Sequence, residues 1–203
     1  MGTEIKNKQS IIVPVYNEEN TIEKVIKELL NLKLYNNFEK EIIIVNDWSN
    51  DKTESILRKL NNSVGIKIIF NKENKWKWNA IINWLNFVTW NYTIIKDADL
   101  EYNIDDINKM LEYLYKNNLD ILFWSRILWK SKRWKFIFYI WWRFVTFVSN
   151  ILYNQKLTDQ PTCYKLIKTD LLKSMDLKEQ WFWFCSELTA KALSLIHISE
   201  PTR

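Results

Sequence analysis

Glycine is nearly absent: the chain has 2 in 203 residues, where average usage of about 7% would give about 14. That excludes collagen-like and glycine-rich repeat architectures. There are only 2 cysteines, Cys163 and Cys185, which excludes a disulfide-dense or zinc-ribbon scaffold and fits a reducing compartment. No apolar leader opens the chain, since MGTEIKNKQS is polar and runs into a strand, so no signal peptide is expected. The net charge of +5 is mild. It suits anionic substrates or anionic lipid and gives no reason to expect a nucleic-acid partner.

What is present is an ordinary globular balance, 47% hydrophobic and 26% charged, over a length suited to one domain. The exception is tryptophan, with 12 residues. Short apolar β-rich runs alternate with amphipathic helical patterns. Strands are predicted at Ile11–Val15, Glu41–Asn46, Ile66–Asn71, Tyr92–Lys96 and Asp120–Phe123, and helices at Thr21–Leu32, Asp51–Leu60, Asn79–Val88 and Ile104–Tyr115. Continuous runs such as IIIV between helices predict an α/β fold with a mostly parallel sheet covered on both faces. Ligands of such sheets sit beyond the carboxyl ends of the strands. The residues there are Asn17, Glu18, Asp47, Asn71, Asp97 and Asp99. Beyond Phe123, the stretch Trp134–Tyr153 is apolar but carries Lys135 and Arg143. It reads as a helix lying on a membrane surface, or packed on the sheet, rather than a span.

Asp97-Ala98-Asp99 ends a strand, so its two carboxylates can approach one hard cation, as a metal bridging a diphosphate requires. Asp47 ends another strand, before a Ser49-Asn50-Asp51 turn and helix cap. Lys75 and Lys77 stand at a helix start, where phosphate is attracted. Together with Pro14-x-Tyr16-Asn17-Glu18, Asn74-Lys75-x-Lys77-x-Asn79-Ala80, Asp97-Ala98-Asp99-Leu100 and Ser125-Arg126, this ordered set resembles the inverting family-2 glycosyltransferases. Within them it looks most like the dolichol-phosphate mannose synthase and polyprenyl-phosphate glucosyltransferase branch. Leu157–Lys165 and Phe184–Ala190 extend the likeness, which covers about residues 9–192.

The resemblance implies a GT-A (Rossmann-like) three-layer α/β sandwich, cut short at its C-terminus. It implies transfer of a hexose from a nucleotide sugar, of GDP-mannose or UDP-glucose type, to a polyprenyl phosphate with inversion. A divalent cation, Mg2+ or Mn2+, would assist. The enzyme would be cytoplasmic and peripheral on the inner face of the cell membrane. Pro14, Tyr16 and Glu18 would line the base and ribose pocket, Asp47 would bond the base, and Lys77 would face the diphosphate. Asp97 and Asp99 would serve ribose and metal, with Glu101 a further ligand. Arg126, Arg143 and Lys165 would hold the acceptor phosphate. Were the acceptor a saccharide or lipid hydroxyl, a carboxylate base would be needed, and Asp159 is that candidate. The remaining alternative is a non-catalytic nucleotide-sugar-binding homologue.

The family pattern has glycine where this chain has Trp48, Trp76, Trp78, Trp84, Trp90, Trp124, Trp129, Trp181 and Trp183, and plausibly at Trp134, Trp141 and Trp142. The hypothesis that follows is that UGA, read as glycine in the source cell, has been translated as tryptophan. Residues 193–203, LSLIHISEPTR, resemble a reading frame of a sequencing adapter. On that reading the catalytic domain is residues 1–192, and His197 belongs to the non-native tail.

Overall fold

The computed structural model describes residues 8–60, 65–73, 85, 88, 90–125, 136–178 and 184–195. The expectations for Lys75, Lys77, Trp76, Trp78, Trp84, Arg126, Trp129, Trp134, Trp181, Trp183 and His197 fall outside those residues. So does most of the helix expected at Asn79–Val88, of which Leu85 and Val88 are described and buried.

Strand β1 (Lys8–Val15) leads through helix α1 (Ile22–Asn31) to β2 (Glu39–Asn46), and α2 (Thr53–Leu60) leads to β3 (Ile66–Phe70). Then come β4 (Tyr92–Ile95), α3 (Asp105–Lys116), β5 (Ile121–Phe123), α4 (Phe136–Tyr153), β6 (Lys165–Lys168), α5 (Thr169–Ser174) and α6 (Phe184–Leu195). The sheet has six strands in the order β3-β2-β1-β4-β6-β5. β1 pairs in parallel with β2 and β4, and β2 with β3. β6 runs antiparallel to both of its neighbours. The sequence reading did not find β6, so the sheet is mixed, with one reversed strand.

β1 is buried from Gln9 to Val15, which is why it reads as a continuous apolar run and not as an alternation. Its side chains part to two cores. Ile11, Val13 and Val15 pack with Ile42 and Ile44 under α1, α2 and α3, through residues such as Val25, Leu29, Leu57, Ile107 and Leu111. Ile12 packs with Ile43, Val45, Phe123 and Ile167 against Leu172, Phe184 and Leu188 of α5 and α6. Helix, sheet and helix make the expected three layers. Leu193 is buried in the second core, and α6 continues through it to Leu195.

The residues with left-handed backbone are Asn17, Asn36, Asn37, Asn118, Asn154, Asp176 and Trp48, besides Gly65. Asn and Asp reach that region at low cost; a bulky side chain there is an outlier. Trp48 has φ of 61° and is 49% exposed. It thus sits in a turn that wants glycine, as the sequence suggested. The same argument does not extend to Trp124, which is buried after β5 with its N–H on the Tyr164 carbonyl, nor to Trp141 and Trp142 inside α4. Glycine within a helix destabilises it.

Candidate donor-binding and active site

Neighbouring strands part at one place. β1 stays paired with β2 as far as Asn46, and the Asp47 N–H still donates to the Val15 carbonyl at 2.9 Å. On its other side, the ladder to β4 ends at Ile12. The Lys96 N–H makes a last bond to the Ile12 carbonyl, and the chain then turns away. Pro14, which has no N–H to give, stands just past that end. The chain steps outward from β1 in one direction to β2 and β3, and in the other to β4, so this is a topological switch point. A cleft with about 460 Å³ of empty space opens there, lined by Pro14, Val15, Tyr16, Glu18, Asp47, Asp97, Ala98 and Asp99. Every residue assigned to the donor from the sequence therefore meets in one cavity, except Lys77, which lies outside the described residues.

Two loops that form the cleft's wall are cross-bonded. The N–H groups of Asn17, Glu18 and Glu19 donate to Ser49 Oγ, Thr53 Oγ1 and Asp51 Oδ2 at 3.0, 2.8 and 3.2 Å. In return, the Asn50 and Lys52 N–H groups donate to Asn17 Oδ1 and Glu19 Oε2 at 2.8 and 3.0 Å. Burial alone would raise the Asp51 carboxyl, but the bonds from Thr53 and Glu19 outweigh it and hold its pKa below the ordinary value. Asn71 Nδ2 donates to Asp47 Oδ1 at 2.9 Å and so orients the buried Asp47. Asn71 stood among the strand-end residues in the sequence, but its role as the partner of Asp47 is visible only in the fold.

The Asp97–Asp99 turn is braced from two sides. Beneath it, Lys96 Nζ donates to the carbonyl oxygens of Asp97 and Asp99. Beyond it, Tyr102 stacks on Tyr164 with ring centroids 4.6 Å apart, and its hydroxyl meets Thr162 Oγ1 at 3.4 Å. Neither brace was found from the sequence. A lysine closing an apolar strand directly before an acidic pair was the available signal for the first.

Two sequence assignments need correction. Glu101 is exposed and absent from the cleft lining, and its own N–H donates to Asp99 Oδ1 at 3.2 Å. Among the described residues, no group of three or more His, Cys, Asp or Glu could hold a metal ion. Lys165 is 1% exposed, and its ammonium bonds the Gln160 and Thr162 carbonyl oxygens above the Phe123 ring. It serves the loop's shape and offers nothing to a phosphate in solvent.

Asp159 is 3% exposed and does not line the donor cleft. Its loop is held firmly. The Asn150 side chain pairs with both the N–H and the carbonyl of Leu157 at 2.8 Å. Thr158 Oγ1 donates to Ser125 Oγ at 2.5 Å, and the Gln160 N–H donates to Thr146 Oγ1 at 3.2 Å. No disulfide joins Cys163 and Cys185, whose sulfurs lie 3.6 Å apart. Arg143 is exposed on α4.

Residues 10–175 match the model of Glycosyl transferase family 2. The chain belongs to that family. A dolichol-phosphate mannosyltransferase from Pyrococcus furiosus is 30% identical over 131 residues, which is 64% of this chain and 36% of that protein. A poly-beta-1,6-N-acetyl-D-glucosamine synthase from Staphylococcus epidermidis is 31% identical over 108 residues, 53% of this chain and 26% of that protein. This family-2 chain therefore spans about a third and about a quarter of those two relatives. Among solved structures, a mannosyltransferase from Pyrobaculum calidifontis in complex with GDP-Man and Mn2+ superimposes with a TM-score of 0.65 at 17% identity, over 98% of this chain and 55% of that one. That likeness shows the shared fold.

Proposed function

We propose that this family-2 chain moves a hexose from a nucleoside-diphosphate sugar to a polyprenyl phosphate, with inversion, at a membrane surface. The observation that carries the reading is the meeting of Pro14, Tyr16, Glu18, Asp47, Asp97 and Asp99 in one cleft at the switch point of the sheet. Pro14, Tyr16 and Glu18 receive base and ribose, and Asp47, held by Asn71, accepts from a base N–H. The family resemblance assigns Lys77, outside the described residues, to the diphosphate. Asp97 and Asp99 present only oxygen donors. That set fits a magnesium-like ion, which needs one or two protein carboxylates and takes its other ligands from water and substrate phosphates. The complex of the Pyrobaculum protein with GDP-Man and Mn2+ supports the choice. Bound there, the cation neutralises charge on the leaving nucleoside diphosphate.

The remaining chemistry is positioning. An acceptor phosphate oxygen, already anionic near neutral pH, attacks the anomeric carbon. The bond from that carbon to the diphosphate oxygen breaks in line, its electron pair leaves with the nucleoside diphosphate, and the configuration inverts. No proton has to be removed from the nucleophile.

Helix α4 supports the lipid acceptor. Ile140, Trp141, Phe144, Phe147, Ile151 and Leu152 are exposed and recur at helical spacing along one side. Among the described residues no helix is long and apolar enough to cross a membrane. An apolar stripe of this kind sinks into the headgroup boundary, and Arg143 beside it reaches lipid phosphates. The family resemblance assigns Arg126, outside the described residues, to the acceptor phosphate. The enzyme thus sits peripherally on the inner face of the cell membrane.

The test is to supply GDP-mannose or UDP-glucose, labelled in the sugar, with polyprenyl phosphate in vesicles and Mn2+ or Mg2+. EDTA-sensitive label in the lipid phosphate is expected. Label appearing only on a saccharide or lipid hydroxyl would favour the second reading. In that reading Asp159 acts as base, and the kinship with the poly-beta-1,6-N-acetyl-D-glucosamine synthase is its support. Donor bound but never turned over would leave a binding module.

The left-handed backbone of Trp48 supports a further part of this reading, that Trp48, together with the other tryptophans the family resemblance sets at glycine turns, is glycine in the source cell. Reading the codons decides it: UGA at these positions is expected, and UGG would end the idea.

A further inference from the structure

Lys96 closes β4 in the middle of the sheet with 0% of its surface exposed. A lysine is seldom withdrawn so fully from water, because desolvation disfavours the ammonium. Burial pushes its pKa below the ordinary value, against the opposing pull of the Asp99, Asp97, Glu28 and Glu101 carboxylates. Its Nζ donates to the Asp97 carbonyl oxygen at 2.6 Å and to the Asp99 carbonyl oxygen at 2.9 Å. Those carbonyls belong to the two residues whose carboxylates line the donor cleft.

We infer that Lys96 is a positioning residue of the donor site, clamping the Asp97–Asp99 turn by its main-chain oxygens so that both carboxylates face the diphosphate and its cation before either arrives. The inference rests on the donor-site reading above. A methionine would fill the same volume but could bond neither carbonyl. Carboxylates crowded on one turn repel each other, and the ammonium beneath them offsets that repulsion while the turn is empty. Its positive charge also opposes an incoming cation. Three carboxylates, Asp97, Asp99 and Glu101, act on Lys96 at this turn, which therefore stays net negative. The gain in geometry outweighs the repulsion. The Tyr102–Tyr164 stack holds the far end of the same segment, so the turn is fixed at both ends.

The test is calorimetric titration of Mn2+ with GDP or UDP into the wild type, Lys96→Met and Lys96→Gln, with thermal melts to confirm folding. Lys96→Met should weaken Mn2+–nucleotide binding about 10- to 100-fold, as losing support for a metal site usually does. Lys96→Gln, which returns an amide NH2 at shorter reach, should fall between. In transfer assays the half-saturating Mn2+ concentration should rise with the same order of variants. A folded Lys96→Met that binds like the wild type would make Lys96 a core filler, and tighter binding would make it a repulsive charge alone. Either result overturns the inference. If Lys96→Met does not fold, wild-type-like binding by folded Lys96→Gln overturns it equally. A wild type that binds neither nucleotide with Mn2+ overturns the donor-site reading, and this inference falls with it.

Discussion

The two working faces of the molecule are built on opposite plans. At the donor cleft, the loops after β1 and β2 bond each other through Asn17, Glu18, Glu19, Ser49, Asp51 and Thr53, and the turn after β4 hangs on Lys96. Polar groups there are paired within the chain, so the cleft keeps its shape without help. On α4 the side chains of Ile140, Trp141, Phe144, Phe147, Ile151 and Leu152 project into solvent. In the proposed reading their apolar area leaves water at the membrane. On the proposed reading one face recognises by preorganised geometry and the other by partition, so a substitution should damage one function and spare the other.

The largest effect is expected at Asp99. Asp99→Asn should lower kcat about 100- to 1000-fold, in the range seen when one electrostatic stabiliser of a transition state is removed. Vesicle binding should be unchanged. Loss of vesicle binding as well would mean that the two faces are not separate. Next comes Phe147→Asp with Ile151→Asp. Each buried apolar side chain contributes about 1.5–3 kcal/mol, so the pair should reduce vesicle partition at least 100-fold. A soluble donor should still bind normally with Mn2+, as calorimetry would show. Unchanged flotation with vesicles would remove α4 from the membrane.

Trp48→Gly should give a smaller gain. Relief of a left-handed conformation contributes about 1–2 kcal/mol, and the greater freedom of glycine in the unfolded chain takes back about 0.5–1. A net rise of roughly 0.5–1 kcal/mol would raise the melting temperature by about 2 °C. A fall would mean that the half-exposed indole has a packing role. Smallest is Asp51→Asn. The folded-state pKa of Asp51 lies below its ordinary value, so its contribution is complete above that value and fades as pH falls through the lower, folded one. The variant should be slightly less stable than the wild type at neutral pH, and the difference should shrink in melts at progressively lower pH as the Asp51 carboxylate of the folded protein takes up its proton.

How much of this was legible in the sequence follows from the range of each interaction. Parallel strands and their helices announce themselves by local periodicity, and strand-end residues in such a sheet converge by topology. Hence Glu18, Asp47, Asp97 and Asp99 could be placed together, and the family resemblance added Pro14 and Tyr16. β6 could not be read. It is four residues long, and its partners β4 and β5 precede it by a long stretch of chain. Lys165 was misassigned because lysine is ordinarily exposed, and nothing local reveals the carbonyls of Gln160 and Thr162 that fold over it. Glu101 follows the acidic pair by two residues, but the turn carries it out of the cleft. Asn71 and Lys96 act through partners that the sheet supplies.

The reversed strand also orders events during synthesis. Among the described residues, β5 pairs only with β6, and β4 on that side likewise pairs only with β6. β1 to β4 can assemble as soon as they leave the ribosome. β5 must then wait, and the open flank of β4 with it, until Lys165–Lys168 arrives to be inserted between them. Pairings so distant in sequence form slowly, and unpaired edges invite association between chains. A nascent chain halted before residue 168 would carry a formed donor cleft and a sticky seam, and it is at this stage that aggregation should concentrate.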